Sequence, residues 1–210
     1  IGPLGAEYDF AEQNWSFPLN SARLPEALCL YVGPGSNMAV WDPFRRIPST
    51  LGMALSALHL SSNEIWNGLG DANRRVCNGL IADWTTWQLQ QNGNFQKLTE
   101  TLRHLSSDGE PLVPGPPVRV SIHDARQIPT LKLPYGDVPV IHASAGMRRI
   151  IAMAYMLVWT WQEHCQLAAL RNESPLSELV LLVDELEAHL HPRWQRLSLI
   201  HISEPTRRYE

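Results

Sequence analysis

The stretch ELVLLVDELEAHLHPRWQR, residues 178–196, constrains the fold more than any other part of the chain. Its apolar run Leu179–Val183 ends abruptly on the acidic pair Asp184 and Glu185. A run that short and that uniformly apolar reads as a buried strand of a parallel sheet. In α/β folds the C-terminal ends of such strands face the crevice where ligands bind, which places both carboxylates at a site edge. An aspartate there suits Mg²⁺, usually held through water, and the adjacent glutamate suits a base that orients and deprotonates water. The plain alternative is a core strand that ends in two solvated acids.

A second stretch, ASAGMRRI (143–150), precedes the clearest helix of the chain. Met147, Ile150, Ile151, Ala154, Leu157, Val158 and Trp161 keep helical spacing, so Gly146 to about Leu170 is expected as one long amphipathic helix. Ser144 followed by small residues leaves free N–H groups at the positive end of the helix dipole, a ready anion site. Ser144 as an ordinary N-cap explains the same residues. Arg148 and Arg149 could reach a phosphate, although arginines on a helix are more often simply solvated. The loop NESPLSE leads to the apolar strand, and Pro192 suits the first turn of a further helix.

Upstream, residues 27–44 read as two apolar strands around a Gly-Pro-Gly turn. GPGSNM in that turn carries no lysine, and no G-x-x-x-x-G-K-[ST] phosphate loop occurs anywhere in the 210 residues. From Pro48 to about His104 the pattern turns helical. TLGMALSALHL (50–60), RRVCNGLIADWTTWQLQQ (74–91) and NFQKLTETLRHL (94–105) are the three candidate helices, the second with Val76, Leu80, Trp84 and Trp87 on one face. SSDGEPLVPGPPV (106–118) reads as a proline-glycine loop and lobe boundary, followed by short β segments near 118–122, 128–133 and 138–141.

The length fits one domain or one large piece of a bigger one. A net charge of −4 gives no general pull toward nucleic acid. Cys29, Cys77 and Cys165 are scattered and form no C-x-x-C pair, which suits a reducing cytosol better than a disulfide framework. No stretch reaches the roughly 18 apolar residues of a membrane span. His189 and His191, with one nearby acid, lack zinc-binding spacing, and the adjacent His164 and Cys165 point apart on their helix.

Taken in order, SAGMRR opening a helix, then LLVDE, then EAHLHPRW resembles the C-terminal half of an ABC-type ATPase. The similarity is to the soluble AAA-family ATP-binding proteins related to the SMC and OLD ATPases, and it spans most of residues 27–196. The phrases NGLIADWTTWQ, ASAGMRRIIAMAYMLVW and LLVDELEAHLHPRWQR carry it. The resemblance implies an α/β fold: a partial P-loop NTPase sheet with flanking helices, an N-terminal antiparallel β portion (1–48) and a helical lobe with its loop (49–117). The signature helix, Walker B strand and D-loop would fill 118–196. It implies cofactors ATP and Mg²⁺, and a homodimer in which ATP is sandwiched between subunits. Ser144 and Gly146 match the signature loop that touches the opposite subunit's γ-phosphate, with Ala145 where many relatives have a first glycine. Asp184 matches the Mg²⁺-associated acid and Glu185 the catalytic base. Glu187–Pro192, including His191, matches the D-loop at the dimer interface. Such ATPases serve DNA repair or phage defence in the cytoplasm, often beside a nuclease or on DNA.

The chain begins IGPLGAEYDF without an initiator methionine, and LSLIHISEPTR (197–207) resembles the translation of a transposase-based sequencing-library adapter. The expectation is therefore a fragment whose phosphate loop lies upstream, with a non-native tail at 197–210 and little activity alone. A natural strand and turn is the other reading of that tail. Two further readings stay open: a non-catalytic, nucleotide-gated dimerisation module, and a DNA-associated scaffold. The retained Glu185 speaks against the first, and the lack of a basic run gives the second no support.

Overall fold

The computed structural model describes residues 7–9, 14–16, 27–45, 57–71, 73–106 and 111–184. The architecture is mixed α/β. A short hairpin pairs β1 (Glu7–Asp9) with β2 (Asn14–Ser16). The second hairpin, β3 (Leu28–Val32) and β4 (Met38–Trp41), was expected and is present. Its alternation is the reason: Leu28, Leu30 and Val32 are fully buried, whereas Cys29 and Tyr31 face the other way. A 3₁₀ turn at Pro34–Ser36 joins the strands, closed by Gly33 N–H donating to the Asn37 carbonyl at 2.9 Å.

β5 (Leu58–Leu60) adds antiparallel to β4. This corrects the end of the expected helix 50–60: His59 is exposed and Leu60 buried, a strand's alternation, while residues 50–56 lie outside the described residues. α1 (Ser62–Asn67) was not foreseen. Ser61 and Glu64 form its capping box, Ser61 N–H donating to Glu64 Oε2 at 2.7 Å and Glu64 N–H to Ser61 Oγ at 3.3 Å.

β6 (Leu69–Gly70) and β7 (Arg75–Cys77) form a small antiparallel pair, and α2 runs from Leu80 to Gln90. The expected helix 74–91 is therefore strand at Arg75–Cys77 and helix only from Leu80, and Val76 does not share a helical face with Trp84. Gly79 sets the break: its φ is +89°, and a Cβ there would collide with the Gly68 backbone. α3 (Gly93–Leu105) begins where expected, because the Asn92 side chain accepts from the N–H groups of Asn94 and Phe95.

The proline-glycine segment expected as a loop instead contributes β8 (Val113–Val118) to a meander with β9 (Ile128–Leu133) and β10 (Gly136–Pro139). The strand order is β10-β9-β8, so β8 lies on an edge, where prolines without an N–H are tolerated. The span 49–117, expected as a helical lobe with its loop, thus also holds strands. α4 (Ala145–Arg171) is the long helix, stopped by Asn172 in the left-handed region at φ +55°. It packs on α3 and against β3, burying Ile150, Ile151, Tyr155, Met156 and Trp159 in one core with Trp84, Trp87 and Leu98.

β11 (Leu179–Val183) pairs parallel with β3, Leu179 opposite Leu28 and Val183 opposite Val32. Among the described residues the sheet order β11-β3-β4-β5 puts it on the edge. It is not the buried strand expected: Val180, Leu181 and Leu182 are 43%, 38% and 50% exposed. Among the described residues no helix is long and apolar enough to cross a membrane.

Candidate functional site

The parallel ladder runs one residue beyond β11, with Asp184 N–H donating to the Val32 carbonyl at 2.9 Å. That bond fixes Asp184 at the C-terminal end of the strand pair, where the sequence placed it. Its carboxylate is exposed on one side and held on the other, with Oδ2 accepting from the Tyr31 hydroxyl at 3.0 Å. Tyr31 reaches it because β3 and β11 are in register and both side chains leave the sheet on the same side. Beside Tyr31 a surface cavity of about 500 Å³ opens between Gly33, Asn37, Met38, His59 and Leu60.

Ser144 caps α4: its Oγ accepts from Met147 N–H at 3.3 Å, and Ser144 and Ala145 are exposed while Gly146 is half-buried. The capping role and an anion role are compatible, since one hydroxyl leaves other first-turn N–H groups unspent. The structure joins this helix to the strand end through Arg149, for which the sequence offered a phosphate contact or a solvated helix face. Arg149 is only 5% exposed, and its Nη2 donates to the carbonyls of Gly33 at 3.3 Å and Asp184 at 3.2 Å. Among the described residues its buried Nη1 has no partner. The Asp184 carbonyl belongs to the peptide that links the two acids, so Arg149 orients that peptide from α4. Arg148, one residue earlier, is exposed as expected.

A signal for Arg149 did exist. Counting four, seven and eleven residues on gives Met153, Met156 and Thr160, all buried, so position 149 lies on the helix's inner stripe. Glu185 and His191, expected as base and D-loop residue, lie outside the described residues. Ser144, Ala145 and Gly146 are brought together at one helix end; Asp184 stands at the end of β11, connected to α4 by Arg149.

As a metal site this is partial. Asp184 offers one exposed carboxylate, which fits a cation held through water, since Mg²⁺ keeps several waters and takes few protein ligands. Among the described residues no group of three His, Cys, Asp or Glu side chains is placed to hold a metal ion.

Two polar networks support the site from within. His164 is fully buried, its Nδ1 3.0 Å from Asp42 Oδ1 and its Nε2 accepting from Leu176 N–H at 2.9 Å. Because a backbone N–H points at Nε2, the proton sits on Nδ1 and is donated to Asp42. This clamp fixes the loop between α4 and β11, and Phe44 stacks on the ring at 4.8 Å. Deeper in, Tyr155 donates to Asp83 Oδ2 at 2.9 Å and lies 3.3 Å from Cys77 Sγ. Burial pushes the Asp83 carboxyl, the Cys77 thiol and the Tyr155 hydroxyl upward. Glu163 is also raised by burial, despite its ion pair with Arg45 at 2.8 Å.

No protein-family model matches this chain, and no curated protein matches it.

Proposed function

We propose that this chain carries the signature and second-strand portion of an ATP-hydrolysing head of the ABC type, working with Mg²⁺ as a head-to-tail dimer. The supporting observation is the tie between a serine-capped helix of 27 residues and a parallel strand ending on Asp184, made by Arg149 across the Asp184–Glu185 peptide. In this reading Ser144, Ala145 and Gly146 present first-turn N–H groups to the γ-phosphate held by the opposite subunit. Bound Mg²⁺ would neutralise charge on the phosphates. Asp184, steadied by Tyr31, is the acid on the metal's water shell. Glu185 draws a proton from the attacking water, and His191 belongs to the interface segment. No G-x-x-x-x-G-K-[ST] occurs in the 210 residues, so the phosphate cradle must come from other sequence. A role in DNA repair or phage defence, a DNA or nuclease partner and a cytoplasmic setting follow from the resemblance alone.

The test uses the chain joined to a segment that supplies the phosphate loop. Glu185→Gln keeps shape and removes the charge that accepts the proton. Steady-state hydrolysis should fall at least about 100-fold while ATP still binds and the ATP-bound dimer accumulates on size exclusion. Near-normal turnover in that variant removes Glu185 as the base. Nucleotide-gated dimerisation without catalysis is then the better account.

A further inference from the structure

We propose that the groove between α1, β7 and the start of α2 binds one nucleotide unit of a single-stranded nucleic acid. The groove has a volume of about 330 Å³, at the small end of ligand sites, which span roughly 300–1,000 Å³. Trp66, Asn67, Arg75, Asn78, Arg126 and Gln127 supply its chemistry: one indole, three amides and two guanidinium groups. Among the described residues no carboxylate lines it.

The walls are built in advance. Arg126 is pinned to Asp124 by Nη2 at 2.7 Å and by Nε at 3.0 Å, and its Nη1 donates to Asn67 Oδ1 at 2.7 Å. Thr85 Oγ1 donates to the Gln127 carbonyl at 3.1 Å, holding the 124–127 loop onto α2. Asn78 is fixed by donating to the buried Asp83 at 2.9 Å, and the capping box of α1 steadies the helix that carries Trp66.

Charge narrows the ligand. Asp124 neutralises Arg126, and among the described residues Arg75 enters no ion pair, so one cation is left to act. A single guanidinium suits one phosphodiester charge and is too little for a triphosphate with its metal. An indole beside amide edges suits a planar base, which stacks on aromatic side chains and hydrogen-bonds at its rim. Asn67, Arg75, Asn78, Arg126 and Gln127 are all exposed, so a strand could pass across the groove without being enclosed. The inference does not depend on the ATPase reading.

The experiment is fluorescence anisotropy of the chain with a labelled oligothymidine of about ten nucleotides, long enough for a short groove. Unlabelled oligomer and thymidine monophosphate serve as competitors. Binding should weaken as salt rises, with a slope near that of about one phosphate contact. Arg75→Glu should weaken it at least about 10-fold, and Trp66→Leu by a similar factor if its melting curve matches the parent. Arg103→Glu makes the same charge change on α3, away from the groove, and should leave affinity within about 3-fold. Monophosphate competing as well as the strand would support the groove and place its ligand among free nucleotides. No binding of either probe, or equal losses in Arg75→Glu and Arg103→Glu, would overturn the proposal.

Discussion

α4 and β11 are the two elements on which the candidate site rests, and both are strongly apolar, yet the chain treats them differently. α4 finds its cover within the chain: α3, β3 and the aromatic side chains of α2 close over Ile150, Ile151, Tyr155 and Trp159. β11 has β3 on one side, and three consecutive apolar side chains remain substantially exposed. Apolar sequence therefore reports the environment a segment suits, and neighbouring elements decide whether that environment is supplied. An exposed hydrophobic edge strand is also a template for pairing, a liability most folded chains cover or blunt.

The largest expected effect separates the two elements directly. Ile151→Ala removes a fully buried side chain from α4 and should cost about 2–5 kcal/mol, transfer and cavity terms together. Leu182→Ala removes a side chain that is half exposed and should cost under about 1 kcal/mol. Denaturant unfolding of both variants measures the gap. Equal costs would mean that β11 is covered in solution, and the contrast between the elements would collapse.

A smaller effect is expected where the two elements meet. Arg149→Met keeps length and apolar packing but strips the hydrogen bonds to Gly33 and Asp184, leaving both carbonyls short of a donor. It also removes a buried nitrogen that has no partner among the described residues, which offsets part of the loss. The net cost should be about 1–3 kcal/mol. Hydrogen exchange should rise at the Asp184 amide more than along the middle of α4. Uniform acceleration of both would show that Arg149 supports the core generally and does not tie the strand end in particular.

Much of this was legible in the sequence, for identifiable reasons. α3, α4 and the β3–β4 hairpin carry their own stop and start signals: Asn92, Ser144, Asn172 and the Gly33–Gly35 turn. The failures came where local pattern and tertiary setting disagreed. Val76 fits a helical stripe, but Gly79 at positive φ interrupts it. Pro114, Pro116 and Pro117 read as a loop, yet an edge position makes them compatible with β8. Asp184 was legible because a run of apolar residues ends on it. Tyr31 was not singled out, and Arg149 was read as a phosphate contact or a solvated residue, since their actual partners depend on the parallel register of β11 on β3 and on the inward face of α4. Nothing local to Asp42 announces its role, because its partner His164 lies 122 residues away.

The smallest expected effect concerns the polar groups buried beneath the middle of α4. Burial holds Asp83 protonated to higher pH in the folded chain than its ordinary value of 3.8, although Asn78 and Tyr155 donate to it and pull the other way. Below 3.8 both folded and unfolded chains carry the proton, and stability is unaffected by this group. As pH rises from there through the raised folded value, the unfolded chain ionises first and is favoured, so stability falls and then levels off. Asp124 acts in the opposite sense, because Arg126 holds it at about 2 and its contribution is lost only as pH falls toward that value. Asp83→Asn keeps an acceptor for Tyr155 and cannot ionise, and it also relieves Glu163, which Asp83 helps to push up. Because Asp124 is common to both proteins, subtracting their melting temperatures cancels it. The variant should gain on the parent as pH rises from about 3 to about 8, with the change falling between the ordinary carboxylate value and the raised folded one. A difference that stays flat across that range would mean that Asp83 is solvated, and that the packing of α4 over it is looser than its buried neighbours imply.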